Sequence, residues 1–240
     1  MAGRPPKPRK GDGSELPRVE AVERALALLA CFGEGRTHLT LKELAEAAGL
    51  YPSTVLRLSG SLERFGFLRR EADGRFRLGP AVLPLARIYR LGFPLEAVIR
   101  PELQSLSRES GETAAFYVRE GEARLCLYRV NGPRALRSHL EEGSLLPLAI
   151  GASGHVLATW SGSDHPRAAE IRAVGHAVSR GERDPDSAAV AAPVFGADGV
   201  LLGALGLSGP ITRFDSIAVP RLTALVLASA SRLTAALRAG

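Results

Sequence analysis

Cysteine is nearly absent from these 240 residues, and the two that occur, Cys31 and Cys126, stand alone inside apolar runs. Neither has a partner at metal-ligand spacing, so buried reduced thiols are expected rather than a disulfide or a zinc site. The five histidines show no metal-binding spacing either. No apolar run approaches the roughly eighteen residues of a membrane span, and no signal-peptide core is present. A cytoplasmic protein is expected, without metal, cofactor or membrane partner. Catalytic signatures are also missing. Residues 151–155, Gly-Ala-Ser-Gly-His, are not the G-x-S-x-G pattern, and neighbours in sequence rarely form a triad. Ser153 reads better as a helix N-cap or a ligand-binding hydroxyl. GALGLSG, residues 203–209, lacks the glycine spacing of a dinucleotide fingerprint. No fixed-period repeat occurs.

Excess charge is missing from the larger part of the chain. Residues 101–240 carry 14 Lys+Arg against 14 Asp+Glu, whereas residues 1–100 carry 17 against 11. The net charge of +6 therefore lies wholly in the first part, as expected where a polyanion binds. Residues 1–17, MAGRPPKPRKGDGSELP, are basic and rich in Pro and Gly, a composition that disfavours a packed core. Their GRPPKPRK portion reads either as an AT-hook for narrow minor grooves or as a solvated arm adding non-specific attraction.

What is present is a helix-turn-helix pattern over residues 41–62, LKELAEAAGLYPSTVLRLSGSL. Leu44, Ala45 and Ala48 give the first helix an apolar stripe. Gly49 follows where a positive φ is wanted, and Leu50 plugs the angle. Pro52 suits the first turn of a second helix. Val55, Leu58, Leu62 and Phe65 recur at helical spacing, which predicts a buried face. The opposite face carries Ser53, Thr54, Leu56, Arg57, Ser61 and Arg64, hydroxyls and guanidiniums suited to a major groove and its phosphates. A hairpin follows, with arms 67–70 and 75–78 and a two-residue Asp73-Gly74 turn. Arg69, Arg70, Arg75 and Arg77 decorate this wing and are candidates for phosphate contacts.

Upstream, a helix is expected over residues 19–32, packing Val22, Leu26, Leu29 and Ala30 under the helix-turn-helix. Downstream, residues 81–91 read as a connecting helix trimmed or kinked by Pro84. A further helix starts near Pro94 or Pro101 and closes at Gly111. The period then changes to two, predicting strands over 113–119, 123–130, 136–140, 189–195 and 200–207. Helical pieces over 153–160 and 166–175 lie between them, and an amphipathic helix over 217–237 ends the chain. Antiparallel hairpins with helices on one face describe an α+β domain. Arg137 and His139 share one strand face and either anchor an anion or meet solvent. Arg180, Glu182, Arg183 and Asp184 read as a solvated mixed-charge loop.

The ordered blocks VERALALLACF, LTLKELAEAAGLYPSTVLRLSGSLERFGFL, GRFRLGPAVLPLA, RPELQSLSRESGETA, LPLAIGASGHVLA, IRAVGHAVSRGE and VAAPVF…GALGLSGP resemble the IclR family of bacterial transcriptional regulators. The resemblance covers nearly everything after residue 18. It implies a DNA-binding winged helix-turn-helix over 18–79, preceded by the basic arm 1–17. A linker helix over 80–93 then joins it to a GAF-like antiparallel-sheet effector domain over 94–240. It implies as partners a pseudo-palindromic double-stranded DNA operator, a small-molecule effector such as an organic or aromatic acid, and further copies in a homodimer or tetramer.

Carried over position by position, the resemblance puts Ala152 and Ser153 at the floor of an effector pocket, with Gly154 and His155 beginning the helix there and amides 153–155 offering an anion site. Ser179, Ser187, Ala189, Gly206 and Ser208 line it. Two departures stand out. SGSDHPRAAE, residues 161–170, is shorter than the family's usual segment, which implies a changed pocket boundary. Ala149, Ala189 and Gly206 replace common polar lining residues, which favours a larger or more apolar ligand. The alternatives are an effector-independent DNA binder and a small-molecule enzyme using Ser153 or His155.

Overall fold

A computed structural model describes residues 18–239 except 34, 93–94, 135–139 and 163–164. The basic arm, Arg137, His139 and all but the last residue of the strand expected over 136–140 lie outside the described residues, and Leu140 is not in a strand. The chain divides into two compact units at Pro94/Leu95.

The first unit contains α1 (Glu20–Leu29), α2 (Leu41–Ala48), α3 (Pro52–Arg64), β1 (Leu68–Arg70), β2 (Phe76–Leu78) and α4 (Val82–Leu91). Helix α2 begins with a capping box. Thr40 Oγ1 accepts from the Glu43 amide at 3.2 Å, and the Glu43 carboxylate accepts from the Thr40 amide at 2.7 Å. Gly49 ends α2 at φ +67°, and Pro52 starts α3 at its first turn. Leu28, Leu39, Leu44, Val55, Leu58 and Phe76 form the core, with Leu50 and Leu62 packed against it.

Three local expectations are corrected. Helix α1 carries two apolar stripes, and the core takes the one containing Ala25 and Leu28. Val22 and Leu26 remain 54% and 59% exposed. Phe65 is likewise 68% exposed, because α3 stops at Arg64 and Phe65 leaves the helical register. The wing turn is wider than two residues. Glu71 N–H donates to Arg75 O at 2.8 Å and Gly74 N–H to Glu71 O at 2.9 Å, with Gly74 at φ +82°. The Asp73 carboxylate accepts from the Arg75 amide at 3.0 Å, which favours this turn over a tight pair.

The second unit contains α5 (Glu96–Ser110), β3 (Thr113–Glu120), β4 (Ala123–Val130), β5 (Leu145–Pro147), α6 (Ala152–Trp160), α7 (Ala168–Val174), β6 (Ala177–Arg180), β7 (Ser187–Phe195), β8 (Leu201–Pro210) and α8 (Ala218–Ala239). The strands form one antiparallel sheet ordered β5-β4-β3-β8-β7-β6. Strands β5 and β6 were not foreseen, being only three and four residues long. Helix α5 starts at Glu96 and carries Pro101 inside it.

Helices cover both faces of the sheet, which corrects the one-faced expectation. Ala115, Ala191 and Ala204 pack with Val156 and Leu157 of α6 and Ile171 of α7. The alternate residues Val190, Ala192 and Val194 are also buried, on the side where α8 meets β7 and α5 meets α8. A strand residue of either parity is thus shielded from water.

Both cysteines are buried and free, and burial pushes the Cys126 thiol up to about 11. Glu112, 3% exposed, is clasped bidentately by Arg213 at 2.6 and 2.7 Å and by Arg134 at 3.2 Å. The clasp ties the end of α5 to the turn that precedes α8. Among the described residues no helix is long and apolar enough to cross a membrane.

Candidate functional site

Helix α3 packs Val55, Leu58 and Leu62 inward, so its other side is free by helical periodicity. Ser53, Arg57, Ser61 and Arg64 follow at intervals of one turn along that side, and all four are exposed. Leu56 is exposed beside them and Thr54 half-buried. Arg64 lies over the Phe65 ring, 5.5 Å from its centroid. The sequence reading missed Tyr51, an aromatic 82% exposed at the N-cap of α3. The signal was a bulky ring directly before the helix-starting proline.

The wing arginines are not equivalent. Arg77 is ion-paired with Glu71, and Arg75 with Asp73 at 2.7 Å. Both carboxyls are held below the usual range. For Glu71 the first cause is the Arg77 side-chain hydrogen bond, and for Asp73 it is the Arg75 amide. Arg70 reaches back over Phe76, 5.4 Å from its centroid. Arg69 is exposed and forms no ion pair among the described residues. A phosphate would compete with a carboxylate for Arg75 and Arg77, but not for Arg69.

The second unit holds an open concavity between the sheet and the start of α6. Ala152, Ser153, Ser179, Ser187, Ala189, Gly206 and Ser208 all line it. Gly154 does not. It is packed so tightly that a Cβ there would lie 2.3 Å from Leu148 O. Ala149 is exposed and outside the lining. Ser153 is not the N-cap of α6, since that place belongs to Gly151.

The loop read as solvated turns out to build the site. Glu182 and Arg183 line the cavity. Glu182 Oε2 accepts from Gly151 N–H at 2.7 Å and from His155 Nε2 at 2.7 Å. Ser179 Oγ accepts from the Ala152 amide at 3.0 Å. The Gly151 and Ala152 amides at the amino end of α6 are therefore satisfied by side-chain oxygens of the chain itself.

The histidine tautomers follow from the same network. Arg167 N–H donates to His165 Nδ1 at 3.2 Å. His165 Nε2–H must then donate to His155 Nδ1 at 2.9 Å, leaving His155 Nε2–H for Glu182. Burial first, then the charges of His155 and Arg167, hold His165 below its ordinary value. Both nitrogens of His155 are engaged, and neither partner is Ser153.

Missed altogether were Tyr117 and Arg124. Arg124 is only 3% exposed, and its Nη1 donates to the Pro147 and Ile150 carbonyls. Its sequence signal was a guanidinium two positions before Cys126, hence on the buried side of β4.

Residues 21–72 match the IclR helix-turn-helix domain, and residues 91–169 and 165–235 match the bacterial transcriptional regulator IclR C-terminal domain. The chain belongs to the IclR family. It is a DNA-binding transcriptional regulator of the α+β class, with its helix-turn-helix preceding the sheet domain. It is 29% identical over 219 residues to the glycerol operon regulatory protein of Streptomyces griseus, covering 81% of this chain and 86% of that protein. With the transcriptional repressor IclR of Escherichia coli it shares 26% over 258 residues, covering 96% and 94%.

A putative IclR transcriptional regulator of Silicibacter superposes with a TM-score of 0.72 at 27% identity, covering 91% of this chain and 96% of that one. An IclR homologue of Microbacterium hydrocarbonoxydans complexed with 4-hydroxybenzoate shares the fold. Its TM-score is 0.78 at 22% identity, with 92% and 100% covered. The relatives named are regulators and repressors.

Proposed function

We propose that this regulator reads a pseudo-palindromic operator as a homodimer, or as a tetramer of such dimers, under the control of a small organic or aromatic acid. The observation that carries the DNA reading is the stripe Ser53, Arg57, Ser61 and Arg64 on the exposed side of α3. Ser53, Thr54 and Arg57 enter or clamp the major groove, with Leu56 beside them. Arg64, Arg69, Arg75 and Arg77 meet phosphates.

Two apolar strips support self-association. Val19 before α1 and Val22 and Leu26 on it are 60%, 54% and 59% exposed, and Leu83, Leu85, Ile88 and Tyr89 on α4 are exposed as well. Such surface is costly to leave in water and suits a second copy. The division of labour is a basic arm over 1–17, DNA reading by 18–79, a linker helix over 80–93 and effector binding by 94–240. The effector acts through α4 by its differential affinity for two arrangements of the DNA-binding heads. The protein works in the cytoplasm.

Support for the effector comes from the cavity and from the 4-hydroxybenzoate held by one structural neighbour. A gel-shift titration tests the reading. Wild-type protein shifts a selected duplex, and Arg57→Ala with an unchanged unfolding transition loses that shift. Unaltered specific binding by the variant would contradict it. A metabolite screen that moves neither melting temperature nor operator affinity would favour the effector-independent DNA binder.

A further inference from the structure

One aromatic ring at the head of α3 has no use within the chain. Tyr51 is 82% exposed, more than any other large hydrophobic residue of the first unit among the described residues. Its ring and hydroxyl meet no hydrogen-bond partner and no second ring among the described residues. It belongs to neither α1 nor α4, whose bare strips suit a second copy. It stands instead at the N-cap of α3, directly before Pro52.

The main chain under this ring is fixed. Tyr51 is extended, at φ −69° and ψ 142°, as a residue before proline prefers to be. Its carbonyl accepts from the Thr54 and Val55 amides at 2.9 and 3.1 Å. The preceding Leu50 packs against the core of the unit, and adjoining residues of an extended segment face opposite ways. The ring is therefore held outward at the first turn of α3, where Ser53 and Thr54 follow it. A tyrosine has only two side-chain torsions to order, so a rigid mount makes it a contact group of low entropic cost.

The exposed side of α3 is otherwise polar, with Ser53, Arg57, Ser61 and Arg64 along it. Arg57 has the fork that matches a guanine edge. The major groove also carries an apolar feature, the C5-methyl of thymine, that a guanidinium cannot read. Tyr51 offers the large apolar surface that such a methyl needs. A phosphate would engage the hydroxyl alone and leave the ring in water, and the neighbouring arginines suit phosphates better by charge.

We propose that Tyr51 is a specificity-determining residue, its ring packing on the C5-methyl of a thymine within about three base pairs of the position contacted by Arg57. That register follows from the separation of Tyr51 and Arg57 along α3, at a rise of about 1.5 Å per residue against about 3.4 Å per base pair. This deepens the reading of α3 as the DNA-reading helix and rests on it.

The test takes the duplex that wild-type protein selects from a randomised pool and replaces each thymine in turn by uracil, which lacks only the methyl. At one thymine of each half-site the replacement weakens wild-type binding by about fourfold, the worth of one buried methyl. Tyr51→Phe keeps that discrimination because the ring remains. Tyr51→Ser, melting as the wild type does, binds the thymine and uracil duplexes equally.

The absence of any thymine at which wild type and Tyr51→Ser differ would overturn the proposal. So would discrimination that is lost in Leu56→Ser and kept in Tyr51→Ser. A Tyr51→Phe variant as weak as Tyr51→Ser on thymine and uracil duplexes alike would also overturn it, since that marks a hydroxyl on a phosphate. Arg57→Ala run in parallel separates the two levels. If it loses the motif while Tyr51→Ser behaves as wild type, α3 still reads DNA and only the thymine contact fails. If wild-type protein selects no motif, both readings fail.

Discussion

In the winged unit Arg57, Arg64, Arg69 and Arg70 stand in solvent, while in the sheet unit Arg124 and Arg129 are 3% and 6% exposed and Arg213 is clamped to Glu112. The same side chain thus serves opposite ends. An exposed guanidinium without a carboxylate partner keeps its hydrogen-bond fork for phosphates. A buried one ties the fold together, through a carboxylate as at Arg213 or through main-chain carbonyls as at Arg124. Net charge alone hints at this contrast, because the second unit is rich in arginine and yet neutral. Pairing and burial make it explicit.

The largest effect is expected where a lock is broken. Glu112→Gln removes the negative partner of Arg213 and Arg134 and should cost about 3 kcal/mol of stability, the low end for a broken buried pair because both arginines reach water. Chemical denaturation followed in the second unit measures it. If stability is unchanged, the clasp is not a lock.

Next comes the reading face. Arg57→Ala should lower affinity for a selected duplex by about 1–3 kcal/mol with the fold intact. Arg69→Ala should weaken all duplexes alike and flatten the log–log salt dependence by about 0.9. Arg77→Ala should do so less, since Glu71 already occupies that guanidinium. Equal effects at Arg69 and Arg77 would erase the distinction drawn between free and paired wing arginines.

Two smaller changes sharpen the comparison. Gly60 lies inside α3 with open space around a would-be Cβ. Gly60→Ala should therefore stabilise the first unit by about 0.5–1 kcal/mol, and a loss of operator affinity would mean that DNA approaches the backbone there. In the second unit His165 is held below its ordinary value. The unfolded chain then binds the proton more readily, so stability is present above the ordinary histidine range and lost as pH falls through it. Denaturation midpoints between pH 8 and pH 5 check this against His165→Asn, which should flatten the fall.

The helix-turn-helix was legible in the sequence because its determinants are local. Gly49 turns the chain, Pro52 starts a helix, and Val55, Leu58 and Leu62 mark one face. The Thr40–Glu43 capping box was equally local and went unread. Helix α1 misled because Val22 and Leu26 match the helical period as well as Ala25 and Leu28 do, and only tertiary packing chooses between the stripes. The cavity was half legible. Resemblance brought Ser153, Ser179, Ser187, Ser208 and Gly206 to notice, residues that share this lining, but Glu182 reaches Gly151 across 31 residues of sequence. No local pattern announces such a contact. Arg124 lay within reach of a period-two argument, since it shares a strand face with buried Cys126.

The most direct test of the account is selection from randomised duplexes at near-physiological salt, with wild-type protein and Arg57→Ala in parallel. Enrichment of a two-fold-symmetric motif by the wild type, and its loss in a variant that melts normally, is the predicted result. The same motif selected equally by both proteins, or none by either, would contradict the claim that the exposed side of α3 reads DNA.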